Sequence, residues 1–167
     1  EDESLIEEPM RFSQKNFFPL RKQHEILQRL FYPNEFEKDK QFHLDKNDLV
    51  FLKKCMKTVP RKAGYNEEEY NDGYVKFFIY GDTKEQIPET ISIYNKVGYA
   101  YGFLTDNAYI VDRENNIAFF LSATIHVNKN DIYNDNTYEY ETIGLPFLAK
   151  LGREIYYFLL ERGSKNH

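Results

Sequence analysis

Lys96-Val97-Gly98-Tyr99 is the stretch whose residue types and spacing could do chemistry. Lys96 stands where a run of β-branched and aromatic residues, Ile91-Ser92-Ile93-Tyr94-Asn95, ends, next to a glycine that lets a backbone pass close by. An ammonium group at such a corner can be the cationic wall of a site where negative charge develops, although on composition alone such a lysine is more often solvated. Other reactive side chains form no pattern. His24, His43, His126 and His167 show no metal-ligand spacing, and one cysteine adds little to a zinc site. Asp131 to Asp135 offers oxygen atoms without the spacing and glycine of a calcium loop, and reads as solvated. Asp106 and Asp112 flank an apolar strand and read as turn or capping residues, and Cys55 beside Met56 reads as a buried packing residue. No motif calls for a cofactor.

The elements that must position Lys96 follow from periodicity. Ile91 to Asn128 holds segments rich in β-branched and aromatic residues, punctuated by Gly, Asn and Asp, which is the pattern of an antiparallel meander. Arg113-Glu114-Asn115-Asn116 reads as a hairpin connection. Upstream, Ile26, Leu27, Leu30 and Phe31 share one helical face over Arg21 to Phe31, and Pro33 stops that helix. A second helix takes Asp45 as N-cap with Asp48 in its first turn, turning Leu49, Leu52 and Met56 to the core before Pro60. Between Arg61 and Gly81, Tyr70, Tyr74, Phe77 and Phe78 fall at helical spacing, so a helix is expected there despite Gly73. Asn128 to Thr142 is a long polar connection. A last helix starts near Pro146, stripes one face with Leu148, Leu151, Ile155 and Phe158, and closes at Gly163. The fold class is α+β: a three-stranded antiparallel meander packed by helices, with a C-terminal helix.

Composition sets the outer bounds. A chain of 167 residues with 14 Tyr and 14 Phe has a real core and is not disordered, despite 29% charged residues. The net charge of -5 and the lack of a dense Lys/Arg run argue against a nucleic-acid partner. No apolar run reaches the roughly 18 residues of a membrane span. The abundant aromatics, at helix and strand periods, read as core rather than as a sugar-stacking surface.

Taken together, Tyr94-Asn95-Lys96-Val97-Gly98-Tyr99-Ala100-Tyr101-Gly102-Phe103-Leu104-Thr105-Asp106, Ala108-Tyr109-Ile110-Val111-Asp112, Tyr138-Glu139-Tyr140 and Gly144-Leu145-Pro146-Phe147 resemble the last third of serine β-lactamases and penicillin-binding proteins. The likeness is closest to class A-like serine hydrolases of the kind found in Bacteroidetes, and spans Leu20 to Arg162, with residues 1–19 as an irregular lead-in and residues 20–167 as the C-terminal portion of a hydrolase domain. The resemblance implies a β-lactamase/transpeptidase-like fold in which a Lys-Thr/Ser-Gly strand faces a Ser-x-x-Lys nucleophile and a Ser-Asp-Asn loop. Lys96 would then be the site cation. Val97 and Gly98 would line the substrate, and the Tyr99 amide would supply half of an oxyanion hole. The implied substrate is a small-molecule or peptide-like ester or amide, a β-lactam among them, and the implied compartment is the periplasm or envelope.

Two departures shape that expectation. Val97 replaces a Thr or Ser whose hydroxyl would help hold the β-lactam carboxylate, and a methyl group cannot donate that bond. The nucleophile is also missing: Ser4, Ser13, Ser92, Ser122 and Ser164 all lack a lysine three residues on, Ser13-Gln14-Lys15 is one short, and no Ser-Asp-Asn occurs. Tyr32-Pro33-Asn34 mimics a Tyr-x-Asn alternative but reads as a plain helix stop. Glu7 and Glu8 lie near the place of a deacylating base with no motif to anchor either. The chain opens on Glu1 rather than Met, and the resemblance implies that an N-terminal half of the same protein carries the nucleophile. The chain alone is then inactive, and the surface turned toward the missing half drives self-association or docking. The alternative is a non-catalytic binding or structural domain with a degenerate site.

Overall fold

Alternating in-and-out side chains build three ten-residue strands: β1 (Ile91–Ala100), β2 (Phe103–Asp112) and β3 (Ile117–His126). They form one antiparallel sheet in the order β1-β2-β3. The computed structural model describes residues 4–15 and 17–164. Tyr101 and Gly102, at φ 53° and 80°, make the two-residue turn between β1 and β2; two consecutive positive φ angles belong to the type I′ turn that suits the twist of a hairpin. Asp112 closes the second hairpin by accepting from the Glu114 amide at 2.9 Å.

One sheet face carries Ile93, Leu104, Ala108 and Ile110 into the buried core with Phe77, Phe78 and Leu148. The other face carries Tyr94, Tyr109 and Phe120, against which Phe31 packs with ring centroids 5.0, 4.5 and 6.3 Å away. Phe31 ends α1 (Leu20–Phe31), whose Leu27 is buried, and Pro33 starts a short 3₁₀ turn after it. The second helix, α2 (Lys46–Lys57), has the expected N-cap Asp45 and first-turn Asp48, and the two also form a capping box: each side chain accepts from the other's backbone N–H. Leu49, Leu52 and Met56 are only half-buried, so α2 covers the sheet margin rather than the core. The C-terminal helix, α3 (Leu145–Ser164), buries Leu148 and Ala149.

The structure departs from the sequence expectation at several places. Residues 61–81 form no continuous helix; they run through 3₁₀ turns at Pro60–Ala63 and Asp72–Val75 and a bend over Phe77–Tyr80, where Phe78 is extended and Ile79 has φ 70°. The helical spacing of the aromatics is spent differently, with Phe77 and Phe78 in the core and Tyr70 and Tyr74 stacked edge to face outside it. Cys55 is exposed, because α2 turns that face to solvent. Phe158 is also exposed, and α3 runs through Gly163 to Ser164. Finally, β1 does not stop at Lys96 but continues to Ala100, and a Cβ placed on Gly98 would meet nothing, so no packing requires a glycine there. The lead-in lacks helix and strand over its described residues but is tethered, Phe12 lying edge-on to Tyr101, Phe103 and Tyr133.

Candidate functional site

The hairpin dictates what β1 presents at its outer edge. A two-residue turn makes Ala100 and Phe103 a hydrogen-bonded pair, and bonded pairs then recur at every second residue. Gly98 and Lys96 therefore direct their backbone groups to β2, while Val97 and Tyr99 direct theirs outward. Among the described residues nothing accepts from the Tyr99 amide. The Tyr99 ring is half-exposed and leans on Tyr140 at 5.4 Å and Phe77 at 6.4 Å.

Lys96 is exposed on the α1 side of the sheet, and its Nζ donates to the neighbouring Val97 carbonyl at 2.6 Å. Across the strands it is in register with Asn107 and, beyond that, Ser122. Ser122 Oγ donates to Asn107 Oδ1, and His24 Nδ1 lies 2.7 Å from Ser122 Oγ. A serine beside a histidine invites a nucleophile-and-base reading. Here the hydroxyl proton is committed to Asn107, so the imidazole meets the oxygen as a donor and cannot take its proton. Asn107 Nδ2 in turn donates to the Gln23 carbonyl at 2.8 Å, and the set pins α1 to the sheet.

Behind β1 sits a buried polar cluster that no spacing in the chain announces. Asp106, fully buried in the middle of β2, accepts from the amides of Phe77 at 3.1 Å and Phe78 at 3.2 Å and from Asn95 Nδ2 at 2.9 Å. Lys76 Nζ donates to Asn95 Oδ1 and to the Met56 carbonyl, both at 2.6 Å. Burial pushes the Asp106 carboxyl up to about 6 against those hydrogen bonds, and pushes the Lys76 ammonium down to about 8 against the Asp106 and Asp72 charges. A poised amine of this kind can serve as a base. In this fold its donors hold two elements together, and only the interruption of apolar runs at Lys76 and Asp106 hinted at it.

Asp112 is likewise buried and structural: burial raises its carboxyl, yet bonds from Asn115, Tyr156 and the Glu114 amide leave it below the usual range. A similar clamp joins Arg61 to Asp72, whose Oδ2 also accepts from the Ile87 amide at 2.9 Å.

Comparison with family models, curated proteins and solved structures finds no match for this chain. Lys96, Val97, Gly98 and Tyr99 lie together at one edge of the sheet, yet none of them lines either of two clefts formed by the described residues. One cleft, about 290 Å³, is walled by Cys55, Val59, Pro60, Tyr65, Tyr70 and Tyr74. The other, about 280 Å³, lies between Lys54, Lys57, Arg61 and Arg113 beside the start of β1. No group of His, Cys, Asp and Glu among the described residues could hold a metal ion, His167 lying outside them. The loop over Asp131 to Asp135 is used locally: Asp135 accepts from the Thr137 amide at 2.9 Å. Among the described residues no helix is long and apolar enough to cross a membrane.

Proposed function

We propose that this chain is the lysine-strand portion of a β-lactamase-like serine hydrolase, completed by polypeptide outside the 167 residues. The supporting observation is the free β1 edge. A strand that ends on an I′ turn holds an unengaged amide, that of Tyr99, three residues from an exposed ammonium that has no carboxylate partner among the described residues. An oxyanion site needs a fixed donor and a nearby cation, both present before substrate arrives. The acylated substrate is an ester or amide of small-molecule or peptide-like kind. With Val97 in place of a hydroxyl residue, recognition of a β-lactam carboxylate loses one hydrogen bond, while acyl transfer to a serine does not need it. The compartment that goes with this reading is the periplasm or envelope.

The placement of Lys96 outside both clefts favours a second reading, in which the sheet is a non-catalytic binding module. A fluorescent fluorophosphonate or labelled penicillin, applied to the protein encoded by the whole reading frame, separates the two. The hydrolase reading expects one labelled serine from a Ser-x-x-Lys helix, and about 10²-fold slower labelling or more in Lys96→Ala. No labelling of a protein that contains such a helix, or labelling indifferent to Lys96, favours the binding module.

A further inference from the structure

The opposite edge of the sheet has a different character. The register Asp112↔Ile117 and the bond from the Val127 amide to the Gly102 carbonyl, 2.8 Å, show that the odd-numbered residues of β3 bond to β2. Ala118, Phe120, Ser122, Thr124 and His126 therefore turn their amides and carbonyls outward. None of these ten backbone groups meets a partner among the described residues. The strand reads Ile117-Ala118-Phe119-Phe120-Leu121-Ser122-Ala123-Thr124-Ile125-His126, without Asp, Glu, Lys, Arg, Pro or Gly.

Such a composition suits a strand buried between two neighbours. Exposed edges are normally guarded by a charge, a proline or a bulge, and β3 has none of these. Its only buried residue is Ile117, whereas most of β2 is buried.

We infer that β3 pairs with β3 of a second copy of this chain, antiparallel about a two-fold axis at Ser122, making one continuous six-stranded sheet. Four considerations choose this occupant. The outward groups can all be used only in the register that sets Ser122 opposite Ser122, Phe120 opposite Thr124 and Ala118 opposite His126. That register places no like charges face to face within the pair of strands. The other candidate edge, β1, carries Lys96 and is flanked at its start by α2, whose Lys54 and Lys57 share a cleft with Ile91 and Ser92. A β1-to-β3 contact would be head-to-tail and open-ended, whereas β3-to-β3 closes. The closed pair leaves each Lys96 edge free at the far ends of the sheet. This inference does not depend on the hydrolase reading, and either can fail without the other.

Light scattering on the chain across a concentration series tests it, together with residue-resolved hydrogen exchange. The expected result is a species of twice the 20.0 kDa chain mass, in which the amides of Phe120, Ser122 and Thr124 exchange on the order of tenfold or more slowly than in dilute monomer. Ala118→Pro removes one outward donor and no bond to β2, and should yield a folded monomer by circular dichroism. A chain that stays monomeric throughout overturns the inference. So does a dimer in which the amides of Phe120, Ser122 and Thr124 exchange as fast as in the monomer, a result that needs no variant to fold.

Discussion

Asp106 and Lys76 show how a single buried residue can set the response of the protein to pH. The folded chain binds a proton on Asp106 more tightly than the unfolded chain, because its carboxyl rises from 3.8 to about 6. Its contribution to stability is then largest below about pH 4 and is lost as pH rises to about 6. Lys76 falls from 10.5 to about 8, so the folded chain binds that proton less tightly, and stability recovers as pH rises from about 8 toward 10.5. Each window spans on the order of 3 kcal/mol. Urea midpoints followed from pH 4 to 10 should show a trough between the two windows. The acid window should be absent from Asp106→Asn, and identical acid branches in the two proteins would contradict this account. The same substitution should lower stability at pH 7 by about 2–4 kcal/mol, because an amide in that place sets one N–H against Asn95 Nδ2. Lys96→Ala, by contrast, touches an exposed side chain bonded only to its neighbour's carbonyl and should shift stability by less than about 0.5 kcal/mol.

At the scale of elements, caps and close approaches decide what each segment tolerates. Asp45 accepts from the Asn47 amide at 2.6 Å and the Asp48 amide at 2.9 Å, so Asp45→Ala should cost about 1 kcal/mol in chemical denaturation. The helix α3 meets the 77–80 bend at Gly152, where a Cβ would sit 2.7 Å from the Ile79 amide nitrogen and 3.0 Å from the Phe78 Cβ. Gly152→Ala should therefore destabilise by about 1–3 kcal/mol even though alanine is the better helix former. A gain in the thermal midpoint would show that the bend yields to α3. Arg153, next along α3, donates to the Ile79 carbonyl at 2.6 Å and holds Asp82 with two bonds of 2.7 Å, so bend and helix are fastened from both sides. Periodicity foretold α1, α2, the meander and α3 because caps, stops and alternation act between residues a few positions apart. It failed over 61–81 because the aromatics there answer to residues distant in the chain: Phe77 lies against Tyr99 and joins Phe78 in the core, while Tyr70 and Tyr74 stay outside it.

For the whole molecule, the two free edges of the sheet carry the functional argument. Among the described residues, the edge of β1 holds an ammonium and an amide without a partner, and the edge of β3 holds a run of such amides without charge. In the 167-residue chain by itself Ser122 should remain unlabelled by a fluorophosphonate at any concentration, since its proton is committed to Asn107. Labelling of Ser122 would instead identify the His24 contact as a working base. Lys96, Val97, Gly98 and Tyr99 were legible as neighbours in the chain, and they remain neighbours at one edge. Their exposure was not legible, because burial depends on which other elements come to lie over a strand.

Read alone, the order of residues determined the α+β class, the antiparallel meander and its connection over residues 113–116, and the capped start of α2. All of these rest on bonds and contacts within a few residues along the chain. Only the tertiary structure decided that residues 61–81 abandon the helix, because the amides of Phe77 and Phe78 take their acceptor from Asp106, 29 and 28 positions away. It likewise decided that Cys55 and Lys96 face solvent and that β3, a strand of interior composition, lies at an edge. Strand order and cover are properties of the assembled chain, and local sequence carries no term for either.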